Sequence, residues 1–368
     1  MNWKGGKESN HRDKMNDMDS LHDIDALLVT NPVNIRYLTG FIGVAPEERE
    51  SYILLSNDTK YLFTNLLYVE QAKALEGVEV IQISRENPLS KEVLNLTTKL
   101  GIKKLGFEDD NLTVAEFTKL KDTLTDVAFI PTRNRIEEQR MIKRKDEIEH
   151  IKLAAKITDQ CFSYIRKRIR PGVTESRLAW EIESFCKVKA GGNAFSPIVA
   201  FNEHSSQPHY ESRGNSPLRN GSLILLDFGA SVNGYCADMT RVVFLGTPKP
   251  EWVRAYETTL SANEKAMELL IDGERHGATL DAAAKEIIAE ADFPTYPHSL
   301  GHAVGLAIHE APRLSATKDE ILKTDMVITV EPGIYIEGQY GIRIEDLVRL
   351  TANGTEVLSK SPKVLITL

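Results

Sequence analysis

The sequence has few cysteines, no long apolar run and no excess of positive charge. Its three cysteines, Cys161, Cys186 and Cys236, form no even or regularly spaced set, which argues against a disulfide scaffold and fits a reducing compartment. No apolar stretch approaches the roughly 20 residues that cross a bilayer. The formal net charge of −8 argues against a nucleic-acid-binding surface. We therefore expect a cytoplasmic protein that binds neither membrane nor nucleic acid.

Length and composition predict two globular domains behind a polar tail. A chain of 368 residues can bury two cores, and its 42% hydrophobic and 27% charged content is that of an ordinary globular protein. Residues 1–20 are polar and charged and are predicted to be disordered. Residues 21–134 alternate β-prone runs with helical spacing, which predicts an α/β domain. Within it, residues 31–34 (Asn-Pro-Val-Asn) are interpreted as a loop.

The remaining residues, 135–368, predict an α+β domain made of two similar halves. Two amphipathic helices, 145–169 and 174–189, are followed by strands, and the same order recurs with helices at 251–271 and 280–291. This repetition suggests a site where the sheets of the two halves meet.

Residues 223–244 predict a β-hairpin that carries two aspartates. Asn233-Gly234 is a strong two-residue turn signal between two β-prone runs. An even loop places Asp227 and Asp238 on one face, directly opposite or one diagonal apart. Two carboxylates at a cross-strand distance of roughly 5 Å repel by about 1–4 kcal/mol. A shared proton, a basic side chain or a bound cation must offset that repulsion.

Three histidines follow within 12 residues, at His298, His302 and His309. Gly301 and Gly305 bracket His302 and let the backbone pass close to whatever that imidazole contacts. A lone histidine is more often a packed core residue than a ligand. This density of imidazoles beside glycines raises the expectation of a functional role, with core packing as the alternative.

Two more carboxylates lie near the C-terminus. Glu331 ends an apolar strand, and Glu345 follows Arg343 by two residues in an alternating strand, so that these two side chains share a face. The separation of Glu331 and Glu345 does not fit a plain even loop. Either Pro332-Gly333, or Gly338 and Gly341, would have to supply a bulge or an odd loop, and the spacing does not decide between them.

Four carboxylates and one imidazole form an oxygen-rich ligand set: Asp227, Asp238, His302, Glu331 and Glu345. About four negative charges would balance two divalent cations, and such a pair makes hydroxide near neutral pH. This donor set suits Mn²⁺ or Co²⁺ better than a structural Zn²⁺ site, which favours Cys and His.

These motifs resemble the M24 "pita-bread" metallopeptidases, in the Xaa-Pro group that contains prolidase and aminopeptidase P. Residues 34–41 are similar to the family's creatinase-type N-terminal domain, residues 208–210 (Pro-His-Tyr) to its substrate loop, and the three C-terminal motifs match closely. The resemblance covers nearly the whole chain. It implies a creatinase-type domain at 21–134, a pita-bread catalytic domain with pseudo-two-fold halves at 135–368, and a homodimer.

The resemblance also implies a role for each site residue. It implies two divalent ions per subunit, Mn²⁺ first with Co²⁺ or Zn²⁺ as alternatives, on Asp227, Asp238, His302, Glu331 and Glu345. Asp238 and Glu345 would bridge the ions or bind them bidentately, and Glu331 would take the proton of the attacking water. His209 and His309 would stabilise the oxyanion or move protons, and His298 and Arg343 would line the substrate pocket. Ala303, where the family usually has glycine, is expected to narrow the space beside His302.

The implied activity is hydrolysis of the Xaa-Pro bond of dipeptides or short peptides by a metal-bridging hydroxide. A prolidase is favoured over aminopeptidase P because the N-terminal domain is compact. Methionine aminopeptidase lacks that domain and the arginine before the last glutamate, and creatine amidinohydrolase lacks the ligand set. A non-catalytic binding protein on the same scaffold is the alternative from another class, but the five filled ligand positions argue against it.

Overall fold

The computed structural model describes residues 21–43, 48–57, 59–317 and 319–368, and the predicted tail at 1–20 lies outside them. The chain divides into two compact units, with the division after Glu138. Among the described residues, no helix has the length and apolar character needed to cross a membrane.

The first unit is built on one mixed sheet of six strands. The strands are β1 (Ala26–Val29), β2 (Ser51–Ser56), β3 (Lys60–Thr64), β4 (Val78–Gln82), β5 (Lys104–Glu108) and β6 (Ala128–Thr132), in the order β4-β3-β2-β1-β5-β6. The helices are α1 (Pro32–Thr39), α2 (Val69–Lys73), α3 (Leu89–Leu100) and α4 (Val114–Thr123), and α5 (Arg135–Met141) crosses the division between the units. The predicted α/β class is confirmed.

The predicted loop at residues 31–34 is wrong, because these residues begin helix α1. The Asn31 side chain accepts a hydrogen bond from the backbone N–H of Val33, and Pro32 occupies the first helical turn. Asparagine at the N-cap followed by proline is a helix-start signal as well as a turn signal.

Strand β6 was also not predicted. It contains Pro131 and lies at the edge of the sheet, where proline is tolerated.

The second unit contains four long helices and thirteen strands among its described residues. The helices are α6 (Lys145–Arg166), α7 (Glu175–Lys189), α8 (Pro250–Ile271) and α9 (Gly277–Glu290), and a 3-10 helix spans Asn202–Ser206. The strands are β7 (Gly191–Asn193), β8 (Ile198–Phe201), β9 (Ser222–Asp227), β10 (Ala230–Val232), β11 (Tyr235–Cys236), β12 (Thr240–Leu245), β13 (Gly301–Ala303), β14 (Glu310–Leu314), β15 (Val327–Val330), β16 (Gly333–Ile336), β17 (Tyr340–Arg343), β18 (Asp346–Thr351) and β19 (Gly354–Val357). The predicted order of a helix pair followed by strands, occurring twice, is confirmed.

The sheet β12-β9-β8 is buried on both faces. Leu223 and Leu225 belong to a core with Trp252 and Tyr256 of α8, whereas Ile224 and Leu226 face a second core formed with α6 and α7. A strand buried on both faces is apolar at every position, as residues 223–226 are. The first charged residue, Asp227, is the last residue of β9.

Candidate metal centre

A tight hairpin positions the two aspartates. Strands β10 and β11 pair Val232 with Tyr235, so the turn is the two-residue Asn233-Gly234, with φ values of 49° and 83°. Positive φ at both positions is what a type I′ turn requires. The same register continues to β9 and β12, where Asp227 pairs with Thr240. Asp238, two residues before Thr240, is one diagonal from Asp227, as predicted.

An odd loop brings the two C-terminal glutamates together. Val330 pairs with Asp346 and Gly333 pairs with Arg343, which puts Glu331 and Glu345 directly opposite each other. Strands β16 and β17 are joined by residues 337–339, and the central Gly338 has φ 66°. A three-residue loop is thus the odd loop that the spacing required.

His302 enters from strand β13. A Cβ on the neighbouring Gly301 would lie 2.0 Å from the carbonyl oxygen of Thr329, so only glycine lets the two strands approach this closely. His302 Nε2 lies 3.2 Å from Glu331 Oε1 and 3.7 Å from Asp238 Oδ2. Asp238, His302 and Glu345 each present a ligand atom, all within 4.8 Å of one another.

When they are ionised, the carboxylates carry more negative charge than the described residues neutralise. Burial, with repulsion from neighbouring carboxylates, raises the pKa of Asp238 and Glu345 well above the ordinary range. Asp227 Oδ1, Asp238 Oδ1 and Glu345 Oε1 are buried and have no hydrogen-bond partner within the described chain. An unpartnered buried oxygen costs about 1–3 kcal/mol, or more when charged. Three such oxygens are hard donors of the kind that a divalent cation takes, so the cluster fits a metal centre.

Arg343 is the basic side chain nearest to the aspartate pair. Its Nη2 donates to Asp227 Oδ2 at 2.5 Å and its Nε donates to Thr240 Oγ1 at 3.0 Å. Thr240 in turn donates to Glu345 Oε2 at 2.7 Å. The described contacts of Arg343 are therefore with side chains of the carboxylate cluster.

Two residues of this network were not predicted, Thr240 and Tyr335. Tyr335 accepts a hydrogen bond from Arg343 Nη1 at 2.7 Å, and its hydroxyl lies 3.1 Å from His298 Nε2. Thr240 could have been found by parity, since it follows Asp238 by two residues on the same strand face. Tyr335 carried no comparable signal.

The remaining histidines surround the cluster. His298 stacks on Tyr296 with ring centroids 5.0 Å apart, and His309 meets His302 edge to face at 4.5 Å. Burial, with the nearby His302 and Arg313, lowers the pKa of His309 to about 4. At neutral pH the His309 imidazole is consequently uncharged.

All nine predicted site residues line one cleft of about 580 Å³: His209, Asp227, Asp238, His298, His302, His309, Glu331, Arg343 and Glu345. Arg313, which was not predicted, lines the same cleft. Ala303 does not, because it packs into the core with Ile328 and Val330. The expectation that its methyl group narrows the space beside His302 is therefore wrong.

Buried carboxylates converging with one imidazole at the mouth of a cleft are the site of a metal-dependent hydrolase. Residues 149–352 match the model of metallopeptidase family M24, and residues 11–142 match the creatinase/prolidase N-terminal domain. The chain belongs to metallopeptidase family M24. The recognition of that family from the sequence motifs is confirmed.

Relatives and solved structures extend the match over the chain. The peptidase YqhT of Bacillus subtilis is 35% identical over 348 residues, covering 94% of this chain and 96% of YqhT. An Xaa-Pro dipeptidase from Bacillus anthracis is 38% identical, with a TM-score of 0.85 over 94% of this chain and 95% of that one. An X-Pro aminopeptidase from Thermotoga maritima is 34% identical, with a TM-score of 0.85 over 94% and 98%. The two-domain fold is thus shared along almost the full length.

Proposed function

We propose that this metallopeptidase hydrolyses the bond before proline in dipeptides and short peptides, with dipeptidase activity of the prolidase type as its main reaction. The observation that carries the proposal is the set of three unpartnered, buried carboxylate oxygens beside His302 in the cleft. The similarity to an Xaa-Pro dipeptidase and to prolidases supports the substrate class. Aminopeptidase P activity is the alternative, supported by the similarity to an X-Pro aminopeptidase.

Five residues would hold two divalent cations, with Mn²⁺ first: Asp227, Asp238, His302, Glu331 and Glu345. Asp227 can offer its unpartnered Oδ1 while Oδ2 stays on Arg343. When bound, such cations supply hydroxide near neutral pH and polarise a carbonyl group. The domain assignment of 21–134 as the creatinase-type domain and 135–368 as the catalytic domain belongs to the same proposal.

Glu331 is the proposed acceptor of the proton of the attacking water. Burial opposes its ionisation, but its hydrogen bond with His302 and the nearby positive charges lower its pKa to about 2. Glu331 is therefore ionised at neutral pH. His309, uncharged at that pH, and His209 would donate to the developing oxyanion or to the leaving proline nitrogen.

Arg313 favours the dipeptidase over the aminopeptidase. Arg343 is engaged with Asp227, Thr240 and Tyr335. In contrast, the Arg313 side chain is exposed, lines the cleft and forms no ion pair with any described residue. A dipeptide ending in proline brings a carboxylate into the cleft, and an arginine is its natural partner. A longer peptide has no carboxylate at that position.

The test is a comparison of substrates with the Mn²⁺-loaded, full-length chain. We expect turnover of Leu-Pro and Gly-Pro, slower or no turnover of Leu-Pro-Gly, and none of Leu-Gly. Preferential cleavage of Leu-Pro-Gly would instead establish the aminopeptidase. If two ions are bound and no proline peptide is turned over, the alternative of a non-catalytic binding protein would be favoured.

The oligomeric state and the cellular location of the protein are further parts of the proposal. We expect a homodimer, because members of the family usually dimerise, and light scattering after gel filtration measures it directly. We expect a cytoplasmic location, since three buried cysteines outside any disulfide of the described chain suit a reducing compartment. Cell fractionation would test that expectation.

A further inference from the structure

The loop between β8 and β9 carries His209 and closes over a buried carboxylate. Glu175, the first residue of α7, is 1% exposed. Its Oε1 accepts from the backbone N–H of Phe201 at 2.6 Å and lies 2.8 Å from His204 Nδ1. Its Oε2 accepts from the Tyr210 hydroxyl at 2.9 Å. One carboxylate therefore ties together groups before and after the tip of the loop.

The loop passes this carboxylate with no space to spare. A Cβ on Gly214 would lie 1.7 Å from Glu175 Oε2, and the Gly214 carbonyl accepts from the backbone N–H of Ser176 at 3.3 Å. The rings of His204 and Tyr210 stack at 4.7 Å with an interplanar angle of 19°. These contacts fix the position of the loop backbone against the first turn of α7.

The opposite side of the loop is held by the site itself. The carbonyl oxygen of Pro208 accepts from Arg343 Nη1 at 3.4 Å, and Ser205 Oγ accepts from the backbone N–H of Gly341 at 2.7 Å. His209 makes no hydrogen bond of its own within the described residues, although it lines the cleft. Its place is set by its two neighbours: Pro208, held by Arg343, and Tyr210, held by Glu175.

We propose that Glu175 and Tyr210 are positioning residues that hold the His209 imidazole over the reacting bond. The inference rests on the proposed function, in which His209 donates to the oxyanion or the leaving nitrogen. A displacement of about 1 Å in a catalytic group can cost about 100-fold in rate. The Glu175–Tyr210 hydrogen bond thus contributes to catalysis through the position of His209.

The first test is a double-mutant cycle with Tyr210→Phe, which removes one hydroxyl, and His209→Ala. We expect Tyr210→Phe to lower kcat by about 10- to 100-fold with KM changed by less than about twofold, because the interaction acts in the transition state. In the His209→Ala background the same change should lose nothing further. An equal loss in both backgrounds, or none in either, would overturn the proposal.

A matched control is Tyr164→Phe. The Tyr164 hydroxyl of α6 donates at 2.7 Å to Glu181 of α7, the helix that also carries Glu175, and it lies outside the cleft. Removing that hydroxyl deletes the same kind of hydrogen bond, and kcat should stay unchanged.

Glu175→Gln is the second variant, because it keeps the side chain's size but turns one acceptor into a donor. It should lower kcat at least as much as Tyr210→Phe does.

A second readout separates this proposal from the proposed activity. The chain has nine histidines, so the ring signals of ¹⁵N-histidine-labelled, metal-free protein can be assigned by substitution. We expect the His209 signal to shift and broaden in Tyr210→Phe and to stay unchanged in Tyr164→Phe. An unchanged His209 signal in Tyr210→Phe overturns the positioning role. If no proline peptide is turned over but the signal shifts, only the proposed reaction fails.

Discussion

Arg343 and Asp227 form a buried ion pair, with Nη2 2.5 Å from Oδ2. The arginine compensates one member of the aspartate pair, whereas Asp238 has no comparable partner among the described residues. Of the three ways to offset the repulsion, a basic side chain therefore serves Asp227, and a proton or a cation remains for Asp238 and Glu345.

Arg343→Met is expected to destabilise the metal-free chain by about 3–5 kcal/mol, since it leaves Asp227 buried and unpaired. Saturating Mn²⁺ should restore part of that loss, because a cation can replace the lost charge. Denaturant titrations with and without Mn²⁺ measure both effects. Arg349→Met is the control, because the Arg349–Asp325 pair is partly exposed and should contribute little. Equal stability losses for the two variants would contradict this account.

Thr240→Val should weaken metal binding by about 10- to 100-fold while the fold persists. The hydroxyl joins Arg343 Nε to Glu345 Oε2, and valine keeps the shape without the hydrogen bonds. Calorimetric titration with Mn²⁺ measures the affinity. Thr259→Val provides the comparison, since within the described chain that buried hydroxyl donates only to the Ala255 carbonyl of the same helix, α8. The idea fails if both variants bind Mn²⁺ as the unmodified chain does.

Glu310 supports the loop that carries His309. The loss of its ionisation is expected to make the free energy of unfolding fall at acid pH. Its buried carboxylate lies 2.5 Å from Arg140 Nη2 and 3.1 Å from Lys143 Nζ. Burial raises the Glu310 pKa, but these two cations outweigh it and lower the pKa overall. A lowered acid pKa stabilises the fold above the unfolded value of about 4.3, and that contribution is lost as the pH falls through the folded value.

Glu310→Gln should therefore cost about 3–5 kcal/mol at pH 7, with a smaller difference from the unmodified chain below about pH 4. Urea unfolding at both pH values gives the comparison. Glu268→Gln, which removes an exposed partner of Lys265, should change stability little at either pH. A difference that is constant with pH would exclude an ionised Glu310.

Arg313→Met should raise KM for Leu-Pro by about 10-fold or more, because a charge-assisted hydrogen bond contributes about 1.5–3 kcal/mol. The amide Leu-Pro-NH₂ lacks the carboxylate and should be affected little. Arg213→Met is the matched variant, since Arg213 lines the same cleft but already pairs with Glu211. If Leu-Pro and its amide respond equally to Arg313→Met, the carboxylate assignment is wrong.

Local signals predicted most of the strands that carry the site. Asn233-Gly234 determines its own turn, and parity then places Asp227 and Asp238 on one face. The register of Glu331 and Glu345 could not be derived, because it depends on whether the chain turns at Gly333 or at Gly338. That choice is made by pairing along β15 to β18, which involves residues far apart in the sequence.

Side-chain partners across elements were the part that the sequence did not reveal. The contact between Glu175 and Tyr210 spans 35 positions, and that between Glu310 and Arg140 spans 170. Neither pair has a helical or strand spacing, so no periodicity connects them. The orientation of Ala303 was missed for a related reason: its core neighbours on β15 fix which face of β13 is buried.

A metal pair in the carboxylate cluster can be tested by counting Mn²⁺ ions. The full-length chain and its Asp238→Asn variant are first stripped of metal, and the number of Mn²⁺ ions that each then binds is compared. Metal analysis after equilibrium dialysis should give two ions per unmodified chain. Asp238→Asn, which replaces a ligand carboxylate by an amide, should bind fewer than one and lose turnover of Leu-Pro. Two ions bound equally by both proteins, or full turnover of Leu-Pro by the chain in excess chelator, would contradict a catalytic metal pair at these residues.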